Sequence, residues 1–271
     1  MSRSRPAPYP RGAHHARTRR TSVGRVTARP LLVLLPGTRF DTREWDGYAD
    51  LVPDADLLPL DLPGHGSRAG QPYSTEDALA IVDAAVRGAL AGAGGGAGRP
   101  VLLAGHSLGG YVAAAYAHRH PTALAALVLI GATADPSRHP ALVHLYVGFA
   151  RLLPVVGAER MALVANGVLR RLGLAAEAIP DATGYAVTPA AWAAVVEQAR
   201  AEQLREVACP VFLVAGQFDQ LRIDIGRYAQ ACRDAHVRVI PRASHLAPLT
   251  HRPQVAAALR EAVDAAARPV A

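Results

Sequence analysis

Short apolar runs recur along the chain, separated by polar breaks that carry glycine or proline. Leu31–Leu35 is an unbroken aliphatic run closed by Pro36-Gly37-Thr38, and Leu57-Leu58-Pro59-Leu60-Asp61 reads as a second strand, closed by Leu62-Pro63-Gly64-His65-Gly66-Ser67. Val101–Ala104, Ala126–Gly131 and Pro210–Gly216 follow, with Val237–Ile240 as a short last run. Continuous apolar runs of this length predict strands buried on both faces, as in a parallel sheet. Between them the period changes to that of helices. Ser74 or Thr75 caps a helix running to Leu90, with Glu76 and Asp77 in its first turn and Leu79, Ile81, Val82 and Val86 on its apolar face. Tyr111–Ala117 is an alanine-rich helical stretch, and Gln254–Ala267 is a closing helix. Strands alternating with helices predict an α/β fold: a mostly parallel sheet with helices on both faces.

The alternation stops between Asp135 and Val207. This segment holds helical patterns at Ala141–Leu153, Ala158–Leu172 and Pro189–Glu206 and no convincing strand. An insertion of this kind between two core strands predicts a helical lid over the carboxyl edge of the sheet, where open α/β sheets place their sites. Tyr146, Phe149, Tyr185 and Trp192 are its candidate substrate-lining residues, although the same helical spacing serves core packing. The expected organisation is a tail at 1–29, a core made of 30–134 and 208–271, and a lid at 135–207.

Composition narrows the possible partners. With 271 residues, 51% of them hydrophobic, the chain buries a sizeable core. The net charge of +7 owes much to arginines in the first 30 residues, a Pro/Ser/Arg-rich stretch expected to be disordered. No basic helix interleaved with aromatics follows, which argues against nucleic acid. No apolar run approaches the roughly 20 residues that span a bilayer. Arg19-Arg20 lacks the hydrophobic region of an export sequence, so a cytoplasmic protein is expected. Two cysteines suggest neither a disulfide framework nor a metal site, and no cofactor motif is present. The expected partner is a small-molecule substrate, with no cofactor.

The chemistry centres on Pro100-Val101-Leu102-Leu103-Ala104-Gly105-His106-Ser107-Leu108-Gly109-Gly110, where a strand breaks sharply into a helix. A serine at such an elbow projects its hydroxyl above the sheet, and residues two positions to either side must be small because two backbones pass there. Gly105 and Gly109 supply that space, and the Leu108 amide at the helix start faces a developing oxyanion. Ser107 is therefore the candidate nucleophile. Such a serine needs a histidine to take its proton and a carboxylate to orient the histidine. His245, after the last strand, is the expected base; His106 reads as structural and His251 as a surface residue. Asp219, just past the strand ending at Gly216, is the expected acid. Asp135 is its rival, and Asp224 reads as solvated.

The series Pro36-Gly37-Thr38, Asp61-Leu62-Pro63-Gly64-His65-Gly66, Gly105-His106-Ser107-Leu108-Gly109-Gly110, Gly216-Gln217-Phe218-Asp219 and Ser244-His245 resembles the α/β-hydrolase superfamily over about residues 30 to 270, in its serine-nucleophile, lidded, esterase- or lipase-like branch. The resemblance implies a triad in the order serine, acid, histidine. It also implies Thr38 as the second oxyanion-hole residue beside Leu108, with Pro36-Gly37 standing where many relatives have His-Gly. The expected function is a serine hydrolase that cleaves a carboxylic ester of a small to medium, uncharged and largely apolar substrate through an acyl-enzyme. The same fold also serves lyase, cyclase and cofactor-free oxidative chemistry in biosynthetic pathways, and ligand-binding pseudoenzymes, which remain alternatives.

Overall fold

Among the described residues, six parallel strands make one sheet: β1 (Leu31–Leu35), β2 (Asp56–Pro59), β3 (Val101–His106), β4 (Ala126–Ile130), β5 (Val211–Gly216) and β6 (Ala235–Ile240). The computed structural model describes residues 29–91, 99–141, 143–144, 147–148, 155–171, 179–180 and 182–268. The tail expected at 1–29 lies almost entirely outside them, as do Tyr146, Phe149 and most of the helix expected at 141–153. The strand order is β2-β1-β3-β4-β5-β6, every neighbouring pair parallel.

Alternation of side chains along each strand divides the core in two. Val33, Leu35, Leu103, Leu127, Leu129, Val211 and Leu213 point to one face, where α2 (Thr75–Ala91) and α3 (Leu108–Arg119) cover them. Leu32, Leu34, Leu102, Val128, Phe212 and Val214 point to the other, beneath α1 (Tyr48–Leu51) and the closing helix Arg252–Ala266. Burial on both sides is why these strands read as continuous runs rather than alternating ones. β6 differs as an edge strand, with Val237 48% and Val239 38% exposed.

The segment between β4 and β5 is helical where described, at Ala158–Arg171, Ala182–Ala186 and Thr188–Gln198. The helix expected at 189–206 is shorter than its pattern. Ala199 and Arg200 are extended, and the Arg200 guanidinium donates to the carbonyls of Val196 and Ala199, satisfying helix-end acceptors before the tight turn Ala201–Leu204. No helix among the described residues is long and apolar enough to cross a membrane.

The site is positioned by the strand order. From β1 the chain steps outward to β2, then returns past β1 to β3 and proceeds in the opposite direction. The carboxyl ends of β1 and β3 are neighbours, Leu35 against Gly105, while the loops leaving them diverge and open a crevice. Here the elbow packs backbone on backbone: a Cβ on Gly105 would stand 2.2 Å from the Gly109 carbonyl carbon. Gly105→Ala is expected to cost about 1–3 kcal/mol or more in urea unfolding, because no rotamer relieves a clash with backbone. Gly88→Ala, in α2 where a Cβ meets nothing within 4 Å, is expected to stabilise by about 0.5–1 kcal/mol in the same measurement.

Candidate active site

Ser107 occupies the turn between β3 and α3 with φ 51° and ψ −117°, a conformation that a side-chain-bearing residue adopts only under constraint. The constraint is visible on both sides. The Ser107 amide donates to the Ile130 carbonyl (2.8 Å) and that of Gly109 to the Pro36 carbonyl (3.1 Å), pinning the elbow to the ends of β4 and β1.

Two further strand ends bring its partners. Asp219 follows β5 and caps a short turn, its Oδ1 accepting from the Leu221 amide at 2.8 Å. His245 follows β6 through a turn in which Arg242, at φ 59°, donates its amide to Gln217 Oε1. His245 Nδ1 lies 2.9 Å from Asp219 Oδ1, and its Nε2 lies 3.0 Å from Ser107 Oγ. A carboxylate only accepts, so Nδ1 carries the proton and Nε2 is left to accept from the serine hydroxyl. Gly131, directly after β4, makes the room: at φ 57°, a Cβ there would stand 2.7 Å from Asp219 Oδ2 and 3.0 Å from His245 Nδ1. That glycine went unnoticed in the sequence, where it only ends an apolar run.

Electrostatics agree with the geometry. Burial lowers the His245 pKa, and the nearby His106 lowers it further, against the opposing pull of Asp219 and Glu44. Burial alone would raise the Asp219 pKa; the hydrogen bond and charge of His245, with the Leu221 amide, outweigh it and leave it lowered.

Thr38 and Leu108 face one cavity of about 440 Å³ together with Ser107 and His245. Among the described residues neither amide has an acceptor. The walls are largely apolar, from Phe40, Leu108, Tyr111, Val143, Trp192, Val195, Val196, Leu221 and Leu246. Trp192 is therefore where the sequence suggested, on helix Thr188–Gln198. Tyr185 is not: its ring is buried outside the cavity wall, its hydroxyl donating to Asn166 Oδ1 (2.9 Å), because its short helix packs against Ala158–Arg171. One fixed charge, that of Arg39, stands in the otherwise largely apolar lining. Arg39 comes from the loop after β1, not from the insertion where lining residues were sought.

The remaining candidates have other partners. Asp135 is buried and accepts from the amide and hydroxyl of Ser137, capping a turn of its own. Asp224 is not solvated; its Oδ2 accepts from the Asp135 amide (2.8 Å) and pairs with His139 Nε2 (2.8 Å). His106 contacts Glu44 and the His245 main chain.

A model of the Alpha/beta hydrolase family matches residues 32–259. The chain belongs to the alpha/beta hydrolase family. The chain is 29% identical over 248 residues, 86% of its own length and 92% of the other, to a Serratia proteamaculans (strain 568) protein named 2-succinyl-6-hydroxy-2,4-cyclohexadiene-1-carboxylate synthase. A protein of the same name from Enterobacter sp. (strain 638) is 35% identical over 104 residues, a stretch covering 38% of this chain and 37% of that protein. Among solved structures, the fold is similar to a thermophilic esterase from Thermogutta terrifontis, with TM-score 0.67, 23% identity, and coverage of 89% of this chain and 92% of that one.

An NMR titration of the His245 ring is expected to give a pKa below the ordinary histidine value of about 6.5. Asp219→Asn removes the carboxylate that pulls this value upward, so the variant is expected to titrate lower still; an upward move would contradict the pairing described.

Proposed function

We propose that this alpha/beta hydrolase is a serine hydrolase acting on a carboxylic ester through an acyl-enzyme. The observation that supports the reading best is the hydrogen-bonded line Ser107 Oγ, His245 Nε2, His245 Nδ1, Asp219 Oδ1, lying beside two unengaged amides at one cavity. In this reading Ser107 attacks the ester carbonyl as its proton passes to His245 Nε2, and Asp219 stabilises the imidazolium formed. The Thr38 and Leu108 amides hold the tetrahedral oxyanion. His245 then gives the proton to the departing alkoxide, releasing an alcohol. Water repeats the sequence on the acyl-enzyme, releasing the acid and restoring Ser107. Helix Thr188–Gln198 acts as part of a lid: Trp192, Val195 and Val196 cover the site with apolar surface. A small to medium, mainly apolar substrate fits a cavity of about 440 Å³ with such walls.

A second reading, non-hydrolytic chemistry with the same three residues, is favoured by two observations. The relative matched over 86% of this chain is named a carboxylate synthase, and Arg39 supplies a cation in the cavity wall. Guanidinium is suited to a carboxylate on the substrate.

A panel of p-nitrophenyl esters and an alkyl fluorophosphonate tests these readings. Wild type is expected to hydrolyse members of the panel and to be labelled, and Ser107→Ala to lose both. Asp219→Asn is expected to drop kcat by about 10⁴, the size of loss that follows from a mis-set histidine tautomer; if Asp135→Asn does this instead, the acid is misassigned. A labelled Ser107 with no ester turned over points to the second reading. If a carboxylate binds at Arg39, kcat/KM for p-nitrophenyl hemiglutarate relative to p-nitrophenyl butyrate is expected to fall about tenfold or more in Arg39→Met, from loss of one charge-assisted contact.

A further inference from the structure

Behind Ser107 lies a second buried acid and histidine that the steps above do not use. Glu44, in the tight turn Thr42–Trp45, and His106, at the end of β3, are each 1% exposed. Glu44 Oε2 accepts from the Gly37 amide at 2.7 Å. Its other oxygen, Oε1, is 2.5 Å from His106 Nδ1. On the far side of the ring, His106 Nε2 is 2.9 Å from the main-chain carbonyl of His245. A Cβ on Gly37 would stand 2.7 Å from His106 Nδ1, so ring and loop are in close contact.

Proton counting narrows the states open to this pair. The His245 carbonyl can only accept, so Nε2 must carry a hydrogen. Nδ1 lies 2.5 Å from Glu44 Oε1 without the alignment of a hydrogen bond, and two buried lone-pair atoms repel at that distance unless a proton is held on one of them. A neutral imidazole has a single N–H, already used at Nε2, so the pair needs one further proton, on the ring or on the carboxyl; the Gly37 amide donating to Oε2 favours the ionised carboxyl and so a proton on the ring. Buried charge persists when paired in this way, and losing one partner is costly.

We infer that Glu44 and His106 are a positioning pair, an imidazolium–carboxylate strut that ties the Gly37–Thr38 loop to the His245 loop across the back of Ser107. The inference rests on the serine-hydrolase reading, because what the strut aligns is the Thr38 amide and the His245 ring. Burial works against charge on His106, but the Glu44 carboxylate, with smaller help from Asp219 and the His245 carbonyl, outweighs it and keeps its pKa raised. The two rings are 4.8 Å apart between centroids. A positive His106 disfavours a second charge on His245 and keeps that base neutral, while Asp219 and Glu44 pull the other way.

The test uses the full chain and an alkyl fluorophosphonate, which Ser107 attacks with loss of fluoride and whose tetrahedral adduct occupies the oxyanion hole. Glu44→Ala is expected to lower the limiting rate of phosphonylation about 10- to 100-fold with the concentration dependence within about twofold, since a misplaced donor acts only in the transition state. Glu44→Gln can still accept from Gly37 and donate to a neutral His106, and is expected to recover most of that rate. His106→Gln removes a positive charge and leaves a negative one near His245, so the acid limb of the labelling rate is expected to move to higher pH by about one unit. Nitrogen NMR of ring-labelled wild type at pH 7, with His106 assigned by its absence in His106→Gln, is expected to show both ring nitrogens protonated.

A wild-type rate in Glu44→Ala, a loss confined to the concentration dependence, glutamine no better than alanine, or an unmoved acid limb overturns the inference. So does a neutral His106 ring, a result that needs no variant at position 44 to fold. Absence of Ser107 labelling in wild type would instead sink the serine-hydrolase reading, and the ring-nitrogen measurement would still decide the charge of the pair.

Discussion

Everything at the site depends on how closely the backbones of β1, β3 and α3 pack at the carboxyl edge. A Cβ on Gly109 would stand 2.5 Å from the Leu35 carbonyl oxygen, and one on Gly105 would run into Gly109. That contact forces the turn at Ser107 into its positive φ, aims the hydroxyl at the crevice, and leaves the Leu108 amide exposed to it. It also sets the loop after β1 beside the elbow, so that both candidate oxyanion donors arise from one packing event. Strain at Ser107 is tolerated because flanking hydrogen bonds to Ile130 and Pro36 over-determine it.

Around the elbow, charge is distributed with equal care. Two carboxylates and two imidazoles are packed within a short distance, yet each histidine has its own acid: His245 has Asp219 and His106 has Glu44. The imidazoles differ in what the other nitrogen meets. For His106 it is a carbonyl, which demands a proton; for His245 it is a hydroxyl, which can supply one. One ring is thereby held with its Nε2 protonated and the other left free to take a proton there.

Much of this architecture was legible in the sequence because its carriers are local. The strands show as apolar runs, since burial on both faces removes alternation, and the elbow shows as glycines at fixed offsets from Ser107. Asp219 and His245 were reached as candidates by following strand ends, and the fold brings both to Ser107. What could not be read has partners that are remote in the chain. Glu44 and Arg39 lie in an aperiodic loop whose residues look like solvated turn, and only the adjacency of β1 and β3 brings them to His106 and the cavity. Tyr185 misled for a related reason: an aromatic at helical spacing says that it is covered, not by what, and Asn166 and Arg39 cover it. Gly131 carries meaning only once Asp219 and His245 are beside it.

The distance along the chain between the site's parts has a consequence for how this protein comes into being. His245 lies 138 residues beyond Ser107 and arrives with β6, which can join the sheet only at its open edge, beyond β5. A serine without its base is no stronger a nucleophile than any other hydroxyl. On the proposed serine-hydrolase reading, a nascent or partly folded chain therefore carries no activated serine, however early the elbow itself takes shape, and reactivity would await the docking of the final strand. Late pairing of distant segments is slow in folding terms, but here it also withholds the chemistry until the cavity that governs it has walls.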